Sequence, residues 1–243
     1  MFLKDYFPKL KKKYSRIKFK GITFNSKIVK KDFIFFAIKG NKIDGNKFIK
    51  EAIKNGAKII ISQKYRERLN NDILYLYDSN PRKLLAEVSS KLNNKKPNNL
   101  IAVTGTNGKS SITNFYYQIL KLNKIKAASI GTLGIYGVNS RKKFSNTTFD
   151  PIELNKLLSI LKIKKIDNVI LEASSHGLKQ HRLDGLKFNT GIFTNLSRDH
   201  LDYHKTFKDY FDSKLILFKK LMKKNSHVIY DNDTNVSKKL KNI

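Results

Sequence analysis

The chain has no cysteine and no tryptophan, and only four of its 243 residues are proline. The lack of cysteine excludes disulfides, thiolate metal sites and a cysteine nucleophile. No apolar run approaches the roughly 20 residues that a membrane-spanning helix needs. The N-terminal segment also lacks the apolar core of a signal peptide. We therefore expect a cytoplasmic protein without a membrane span.

Acidic residues and arginine are also scarce. Asp and Glu total 19 against 50 Lys and Arg, which gives a formal charge of +31, and only seven of the basic residues are arginine. Base-reading and phosphate-clamping sites favour arginine for its two-pronged geometry. The lysines are spread along the whole chain, so we interpret the charge as a compositional bias toward Lys, Asn and Ile. We expect no specific nucleic-acid partner, although a polycation that binds nucleic acid remains an alternative.

The most informative segment contains the run Gly-Thr-Asn-Gly-Lys-Ser. An apolar stretch, 100–103, predicts a buried strand, and it leads into a turn with Gly105 and Gly108. Lys109 and Ser110 then open an apolar helical pattern. Glycines let backbone N–H groups converge on phosphate oxygens, the lysine reaches the outer phosphates, and the serine hydroxyl ligates Mg²⁺. The sequence therefore predicts a variant nucleotide-triphosphate site.

Strand and helix patterns alternate on both sides of a polar, proline-containing break at 91–99. The break predicts two domains, 1–96 and 97–243. Strands are predicted at 33–38, 58–62, 73–77, 100–103, 127–131, 168–172, 191–194 and 227–230. Helices are predicted at 48–55, 81–92, 109–122, from about 150, and at 207–221. This order predicts an α/β protein, with a small first domain followed by a doubly wound parallel sheet that carries the phosphate loop.

Polar side chains follow one of the predicted strands of the second domain. The strand ends at Glu172, and Ser174, His176, Gln180 and Arg182 come soon after it. A carboxylate at the carboxyl end of a parallel strand lies where ligands bind, and beside a phosphate loop it suits Mg²⁺. A strand exit with ordinary capping residues is the alternative interpretation.

A second polar burst follows the predicted strand 191–194. Asp199, His200, Asp202 and His204 could ligate a metal, and on a helix the two histidines would share a face. We favour a functional role for this cluster because it lies at the same predicted sheet edge as Glu172.

Two further segments are ambiguous on local grounds. Asn146, Thr147 and Thr148 precede a predicted helix and suit either anion binding or helix capping. Lys214 is one of many lysines, and nothing in its own neighbourhood distinguishes it from a solvated helix charge.

Four blocks of the sequence together resemble the Mur ligases, and within them the MurE group. They are 103–109, 146–148, 172–182 and 193–204. The phosphate loop alone also fits other Mur ligases and folylpolyglutamate synthase. The Ser-Ser-His-Gly-Leu and Asp-His-Leu-Asp-Tyr-His blocks, in that order, point to MurE.

This resemblance implies roles for residues of the second domain. It implies ATP binding by Gly105, Thr106, Asn107, Gly108, Lys109, Ser110 and Ser111. It implies a catalytic set of Lys109, Glu172, His200 and Lys214. The implied Mg²⁺ ligands are Ser110, Glu172, His200 and Lys214, the last as a carbamate formed with CO₂. The implied contacts to a UDP-muramoyl dipeptide are Asn146, Thr147, Thr148, Ser174, Gln180 and Arg182.

The resemblance extends weakly into the first domain. The segment 24–27 matches the family's uridine-binding segment, with Asn25 and Lys27 in place of the usual residues. A later loop matches the family's segment near the UDP. The implied substrate contacts of the first domain are Phe24, Ser26, Lys42, Ile43 and Asp44.

The function implied is ATP-dependent amide-bond formation in peptidoglycan synthesis. A carboxylate of UDP-N-acetylmuramoyl-L-alanyl-D-glutamate becomes an acyl phosphate, and the amine of diaminopimelate or lysine displaces the phosphate. Mur ligases of this group are about twice as long, so we expect an incomplete central domain, no C-terminal ligase domain, and a chain that is inactive alone. A monomeric fragment that only binds UDP-muramoyl peptide and ATP is the alternative.

Overall fold

The computed structural model describes residues 1–8, 10–40, 43–138, 148–234 and 236–241. The chain divides into two compact units, Met1–Leu92 and Asn93–Ile243. Each unit has its own β-sheet. The boundary predicted from the polar break lies slightly further along the chain than this division.

The first unit is built on a five-stranded sheet with the order β1-β2-β3-β5-β4, in which β4 is antiparallel and the other strands are parallel. The strands are β1 Gly21–Thr23, β2 Phe33–Ala37, β3 Ala57–Ser62, β4 Arg68–Asn70 and β5 Ile73–Tyr77. The α-helices in the described residues of this unit are α1 Ile49–Lys54 and α2 Pro81–Leu92.

The central strands of this sheet are apolar because both of their faces are covered. In β3, Ile59, Ile60 and Ile61 are all fully buried. The predicted strands that became β2, β3 and β5 are confirmed, as are both helices. The sequence did not predict β1 and β4, since each has three residues and shows no clear alternation.

The second unit contains a six-stranded sheet with the order β11-β10-β6-β9-β7-β8, in which β8 is antiparallel and the rest are parallel. The strands are β6 Asn99–Thr104, β7 Ala127–Gly131, β8 Gly134–Tyr136, β9 Asn168–Glu172, β10 Phe188–Phe193 and β11 Met222–Tyr230. The helices are α3 Lys109–Leu122, α4 Pro151–Ile163, α5 Ser175–Lys179, α6 Phe207–Ile216 and α7 Ser237–Lys241. This arrangement confirms the predicted α/β class.

The strand β6 lies in the middle of this sheet, and its two faces pack against different helices. Leu100 and Ala102 belong to the core that α4 and α6 cover, whereas Ile101 and Val103 pack against α3. Because the strands are parallel, the segments that follow β6, β7, β9 and β10 all leave the sheet at one edge. That edge is where the polar bursts of the sequence come together.

The segment after β10 differs from its predicted structure in two places. The predicted helix 207–221 ends at Ile216, and Leu217–Leu221 form a π-helical turn that still buries Leu217 and Phe218. No glycine or proline marks this change, so the sequence contained no stop signal. The last strand begins at Met222, whereas the sequence predicted a start at residue 227. The prediction missed the first residues of the strand because exposed lysines interrupt the apolar alternation there.

Candidate functional site

The phosphate loop joins β6 to α3, and its two glycines have conformations that other residues adopt poorly. Gly105 has φ of 144° and Gly108 has φ of 82°. A Cβ atom on Gly105 would lie 1.9 Å from Thr194 Oγ1, so this position also lacks the space for a side chain. The predicted loop therefore has the glycine requirements of a tight backbone cradle.

Residues that follow β10 hold the loop in shape. The Thr106 backbone N–H donates to the Asn195 carbonyl oxygen at 3.0 Å, and the Asn107 backbone N–H donates to the Asn195 side-chain oxygen at 2.9 Å. In return, Thr194 Oγ1 donates to the Asn107 carbonyl at 2.6 Å. The loop geometry thus depends on a segment that lies far away in the sequence.

Lys109 is the first residue of α3, and its ammonium group curls back over the loop. Its Nζ donates to the carbonyl oxygens of Gly105 at 3.0 Å and Thr106 at 2.7 Å. Burial lowers the pKa of Lys109, while Glu172 and Asp199 act in the opposite direction. The side chain therefore occupies the place where loop-bound phosphate oxygens would need a cation.

Glu172 ends β9, and the strand register places it beside Val103, just before the phosphate loop. The residue is 2% exposed. Its carboxylate accepts hydrogen bonds from Ser110 Oγ at 2.9 Å, from the Thr132 N–H at 2.8 Å and from Thr132 Oγ1 at 3.1 Å. The sheet thus brings together the hydroxyl and the carboxylate that the sequence predicted as metal ligands.

Lys214 lies in α6 and is almost completely buried, at 1% exposure. Its Nζ donates to the Gly105 carbonyl at 2.6 Å and lies 4.2 Å from the centre of the Tyr210 ring. Burial, together with the nearby charge of Lys109, lowers the pKa of Lys214 to about 7. Lys214 therefore belongs to the site, which its local sequence did not indicate.

His200 and His204 follow β10. Their spacing would place them on one face of a helix, but the structure has no helix there and they do not share a face. His200 has φ of 53°, is about half exposed, and lies 3.4 Å from the Asp199 carboxylate. His204 is fully buried, and its Nε2 lies 2.9 Å from Ser175 Oγ. The positive φ of His200 interrupts any helix there. His200 therefore stays accessible at the site, whereas His204 is enclosed by the protein.

No group of three His, Asp, Glu or Cys side chains in the described residues could hold a metal ion. The predicted cluster at 199–204 is therefore not assembled in the described structure. The other predicted set contains only two such side chains, Glu172 and His200, together with Ser110 and Lys214. The buried carboxylate next to the Ser110 hydroxyl offers the hard oxygen donors that Mg²⁺ prefers. These residues fit a magnesium ion.

Part of the predicted peptide-contacting set forms one hydrogen-bonded wall. Thr148 Oγ1 lies 3.0 Å from Ser174 Oγ and donates to the Glu172 carbonyl at 3.2 Å. Arg182 donates from one terminal nitrogen to the Thr148 carbonyl at 2.5 Å and from the other to Gln180 Oε1 at 2.8 Å. Two predicted members of the set lie outside the described residues, namely Asn146 and Thr147.

A cavity of about 440 Å³ lies between the phosphate loop and this wall. It brings together side chains that the sequence predicted separately and several that it did not. The lining residues are Lys109, Ser110, Thr132, Thr148, Glu172, Ser174, Ser175, His176, Gln180, Arg182, His200, Tyr210 and Lys214. Cationic groups, hydroxyls and one carboxylate make this a site for an anionic, polar ligand.

Sequence reasoning missed Thr132, Ser175 and Tyr210 and assigned no role to His176. Tyr210 is fully buried, and its hydroxyl donates to Thr106 Oγ1 at 3.1 Å. Its position four residues before Lys214 places both side chains on the same helix face, but only the tertiary fold shows what they face. Thr132 follows directly after β7, and the rule that ligands bind at strand ends could have found it.

Four of the five predicted substrate contacts of the first unit lie in the described residues. Ser26 is buried, and its hydroxyl donates to Glu51 Oε2 at 2.8 Å. Asp44 accepts from the Asn46 backbone N–H at 2.9 Å, and this bond is the main cause of its lowered pKa. Phe24 and Ile43 are exposed. Lys42 lies outside the described residues.

Comparison with protein families then identifies the chain. Residues 103–243 match the Mur ligase middle domain, and residues 18–92 match the catalytic domain of the Mur ligase family. The chain belongs to the Mur ligase family. The resemblance inferred from the four sequence blocks is therefore confirmed.

The relatives of this Mur ligase chain include proteins named UDP-N-acetylmuramoyl-L-alanyl-D-glutamate--2,6-diaminopimelate ligase. The one from Brucella melitensis is 41% identical over 209 residues, which are 86% of this chain and 43% of the relative. The one from Rickettsia prowazekii is 45% identical over 203 residues, which are 82% of this chain and 42% of the relative. The chain thus spans less than half the length of these curated relatives.

Solved Mur ligase structures share the fold. A UDP-N-acetylmuramoyl-L-alanyl-D-glutamate--2,6-diaminopimelate ligase aligns over 100% of this chain and 49% of its own, with a TM-score of 0.82 and 28% identity. MurF ligase from Thermotoga maritima, solved in complex with ADP, aligns over 90% of this chain and 47% of its own, with a TM-score of 0.58 and 23% identity. Among the described residues, no helix of this Mur ligase chain is long and apolar enough to cross a membrane.

Proposed function

We propose that this chain carries the ATP site and the UDP-muramoyl-peptide site of a ligase. That ligase joins the third peptide residue to UDP-N-acetylmuramoyl-L-alanyl-D-glutamate. The reaction is taken from the names of the relatives. The observation that supports it in this chain is the cavity of the second unit. Lys109, Lys214 and Glu172 line this cavity together with Thr148 and Arg182 of the hydrogen-bonded wall. A phosphoryl group and a substrate carboxylate can meet there.

ATP would bind along the phosphate loop with its outer phosphates toward Lys109. The residues assigned to it are Gly105, Thr106, Asn107, Gly108, Lys109, Ser110 and Ser111. Negative charge spreads over the phosphoryl oxygens in the transition state of transfer, so a fixed cation stabilises it more than it stabilises the ground state. Ser110, Glu172 and His200 would hold Mg²⁺, which neutralises phosphate charge when bound.

The peptide would lie against the wall that leads to Arg182. Its assigned contacts are Asn146, Thr147, Thr148, Ser174, Gln180 and Arg182. The free carboxylate attacks the γ-phosphorus of ATP, and the bond from phosphorus to the bridging oxygen breaks, which gives an acyl phosphate and ADP. The amine of the incoming amino acid then attacks the acyl carbon, and phosphate leaves as the amide bond forms.

Lys214 would act as a carbamate. Its amine has a pKa of about 7 and so is partly neutral near neutral pH. The neutral amine adds to CO₂ and releases one proton, which converts a buried cation into an anion. Two cations at one carbonyl then become a cation and an anion, an arrangement that suits a second Mg²⁺ better.

The first unit would hold the uridine end of the substrate. Ser26 and Asp44 lie in the segments that follow β1 and β2, where the parallel strands of this sheet end. Phe24 and Ile43 would add apolar contact, and Lys42 would contribute a positive charge near the UDP. Because the relatives are named as diaminopimelate ligases, we propose diaminopimelate, rather than lysine, as the incoming amino acid. We further propose that the protein acts as a monomer in the cytoplasm.

A second candidate is a module that binds UDP-muramoyl peptide and ATP without forming an amide. The chain's coverage of 42–43% of its curated relatives is the observation that favours it. Both candidates use the same cavity, so they differ in chemistry and not in recognition.

Titration calorimetry followed by a product assay tests the proposal. The purified chain is expected to bind ATP with Mg²⁺ and UDP-N-acetylmuramoyl-L-alanyl-D-glutamate. An amide product with diaminopimelate in mass spectrometry would favour the ligase and would overturn the expectation that the chain is inactive alone. Lys109→Ala should remove most ATP affinity, whereas Lys121→Ala, an exposed lysine of the same helix, should leave it unchanged. Binding of both ligands without product favours the second candidate, and binding of neither refutes both.

A further inference from the structure

A buried histidine sets the hydrogen-bonding direction of one hydroxyl group in the cavity, that of Ser175. Ser175 begins α5, lines the cavity and is 2% exposed. Behind it lies the fully buried imidazole of His204, with Nε2 at 2.9 Å from Ser175 Oγ. Which of the two atoms carries the shared proton depends on the other side of the imidazole ring.

Two oxygen acceptors face the far nitrogen of His204. Ser213 Oγ lies 3.4 Å from Nδ1, and it already donates its own proton to the Asp209 carbonyl at 2.7 Å. The Asp209 carboxylate lies 3.6 Å from the same nitrogen. Because both neighbours offer lone pairs to Nδ1, we infer that this nitrogen carries the proton of the neutral ring.

The polarity of the Ser175 contact follows from this tautomer. Nε2 then has a lone pair, so the Ser175 hydroxyl donates its only proton to His204. The Ser175 oxygen can offer only lone pairs to a ligand, and a ligand group that meets it must be a donor. Phosphates and carboxylates are acceptors, so they suit Lys109 and Arg182 instead.

We propose that His204 is a positioning residue that holds the Ser175 hydroxyl as a hydrogen-bond acceptor for a peptide N–H of the muramoyl dipeptide. This inference rests on the proposed function, because it names the part of that substrate which lies against α5. The peptide amides are donors, whereas the diphosphate and the reacting carboxylate are not. Ser175 therefore orients the peptide so that its carboxylate points toward the cationic side of the cavity.

The first test reads the tautomer directly in the free chain. Nitrogen-15 NMR of the imidazoles, with the His204 signals assigned by their loss in His204→Phe, is expected to show a protonated Nδ1 and an unprotonated Nε2 at pH 7. A protonated Nε2, or a doubly protonated ring, overturns the proposal. This measurement needs no ligand, so it does not depend on the proposed function.

The second test reads the acceptor role. Each of the two peptide amides of the substrate is replaced in turn by an ester, which removes the N–H and little else. One ester analogue is expected to bind the parent chain about 3- to 10-fold more weakly than the amide, as for one lost hydrogen bond. That preference should disappear in Ser175→Ala and in His204→Phe, and it should survive in Ser129→Ala, a buried serine of β7.

The outcomes separate the two proposals. If the parent chain binds none of the three ligands, the proposed function fails. If it binds the amide and both esters equally, only the Ser175 inference fails. A preference that persists in both variants also overturns it, since a purely structural His204 would weaken all ligands alike. Covalent labelling of Ser175 by a fluorophosphonate would reveal a nucleophile instead of an acceptor, which contradicts the assigned role.

Discussion

Lys109 and Lys214 donate hydrogen bonds to the same acceptor, the carbonyl oxygen of Gly105, at 3.0 and 2.6 Å. The two lysines come from α3 and α6, which lie about a hundred residues apart in the chain. Burial lowers the pKa of both lysines, and the charge of Lys109 lowers the pKa of Lys214 further. Before Lys214 reacts with CO₂, two cations at one carbonyl favour an anionic ligand beside them, which agrees with a polyphosphate.

The first prediction concerns the phosphate loop. Gly105→Ala should weaken ATP binding at least 10-fold and destabilise the second unit by about 2 kcal/mol or more, because the new methyl group would overlap Thr194 Oγ1 at an unfavourable φ. Gly134→Ala is the matched control, since its φ is 107° but no atom lies within 4 Å of the added Cβ. Calorimetry and urea unfolding measure both effects. Equal behaviour of the two variants would show that the close contact is unimportant.

The second prediction concerns the carboxylate at the end of β9. Glu172→Gln keeps the shape of the side chain but loses its charge, so ATP binding should require about 10-fold more Mg²⁺. Asp167→Asn is the control, because Asp167 directly precedes β9 at the end away from Glu172 and pairs with Lys162 at 2.7 Å. This variant should leave the Mg²⁺ requirement unchanged. The test titrates Mg²⁺ at fixed ATP. An unchanged requirement in Glu172→Gln would remove this residue from the metal site.

The third prediction concerns acid stability. Burial, with the charges of His176, Lys179 and Lys214, lowers the pKa of His204 to about 4 from 6.5, while Asp209 opposes the shift. The unfolded chain therefore binds more protons than the folded chain between these values. Stability from His204 is fully present above pH 6.5 and is lost as the pH falls toward 4, by an amount on the order of 3 kcal/mol.

Urea unfolding at pH 7.5, 5.5 and 4.5 checks this effect. The loss of stability between pH 7.5 and 4.5 should be smaller in His204→Phe than in the parent chain, whereas His227→Phe, in the edge strand β11, should match the parent. The same pH dependence in all three chains would mean that His204 does not stay neutral when it is folded.

The fourth prediction concerns the buried lysine of α6. The folded pKa of Lys214 is about 7 and the unfolded value is 10.5, so its charged form destabilises the folded chain at low pH. Lys214→Met should therefore gain stability over the parent at pH 6, by roughly 1–3 kcal/mol, and the gain should shrink by pH 9. Thermal unfolding at both pH values gives the comparison. A loss of stability that is equal at both would contradict the lowered pKa.

The sequence predicted the parts of the site that depend on local pattern. Gly105, Gly108 and Lys109 stand together in the chain, and Glu172 follows a clear apolar strand, so the rule for parallel strand ends placed them at one edge. Lys214 was predicted only through the family resemblance. Its burial and its contact with Gly105 arise from tertiary packing, which no local signal among so many lysines records.

Other features could not be predicted because they depend on backbone details. The end of α6 at Ile216 has no glycine or proline to mark it. The separation of His200 from His204 follows from a single residue with positive φ, which a non-glycine residue rarely adopts. The hydrogen bond from Ser175 to His204 joins two segments through the packing of α5 on α6, so sequence spacing alone could not reveal it.

The central claim is that the cavity beside Lys109 is the place where a peptide carboxylate attacks the γ-phosphate of ATP. Trapping the acyl phosphate tests it most directly, because hydroxylamine converts such an intermediate into a stable hydroxamate. The chain, ATP, Mg²⁺, the UDP-muramoyl dipeptide and hydroxylamine should give a hydroxamate of the dipeptide together with ADP, and Lys109→Ala should give none while Lys121→Ala gives the parent amount. Binding of both ligands with no hydroxamate, or an undiminished yield in Lys109→Ala, would contradict the account.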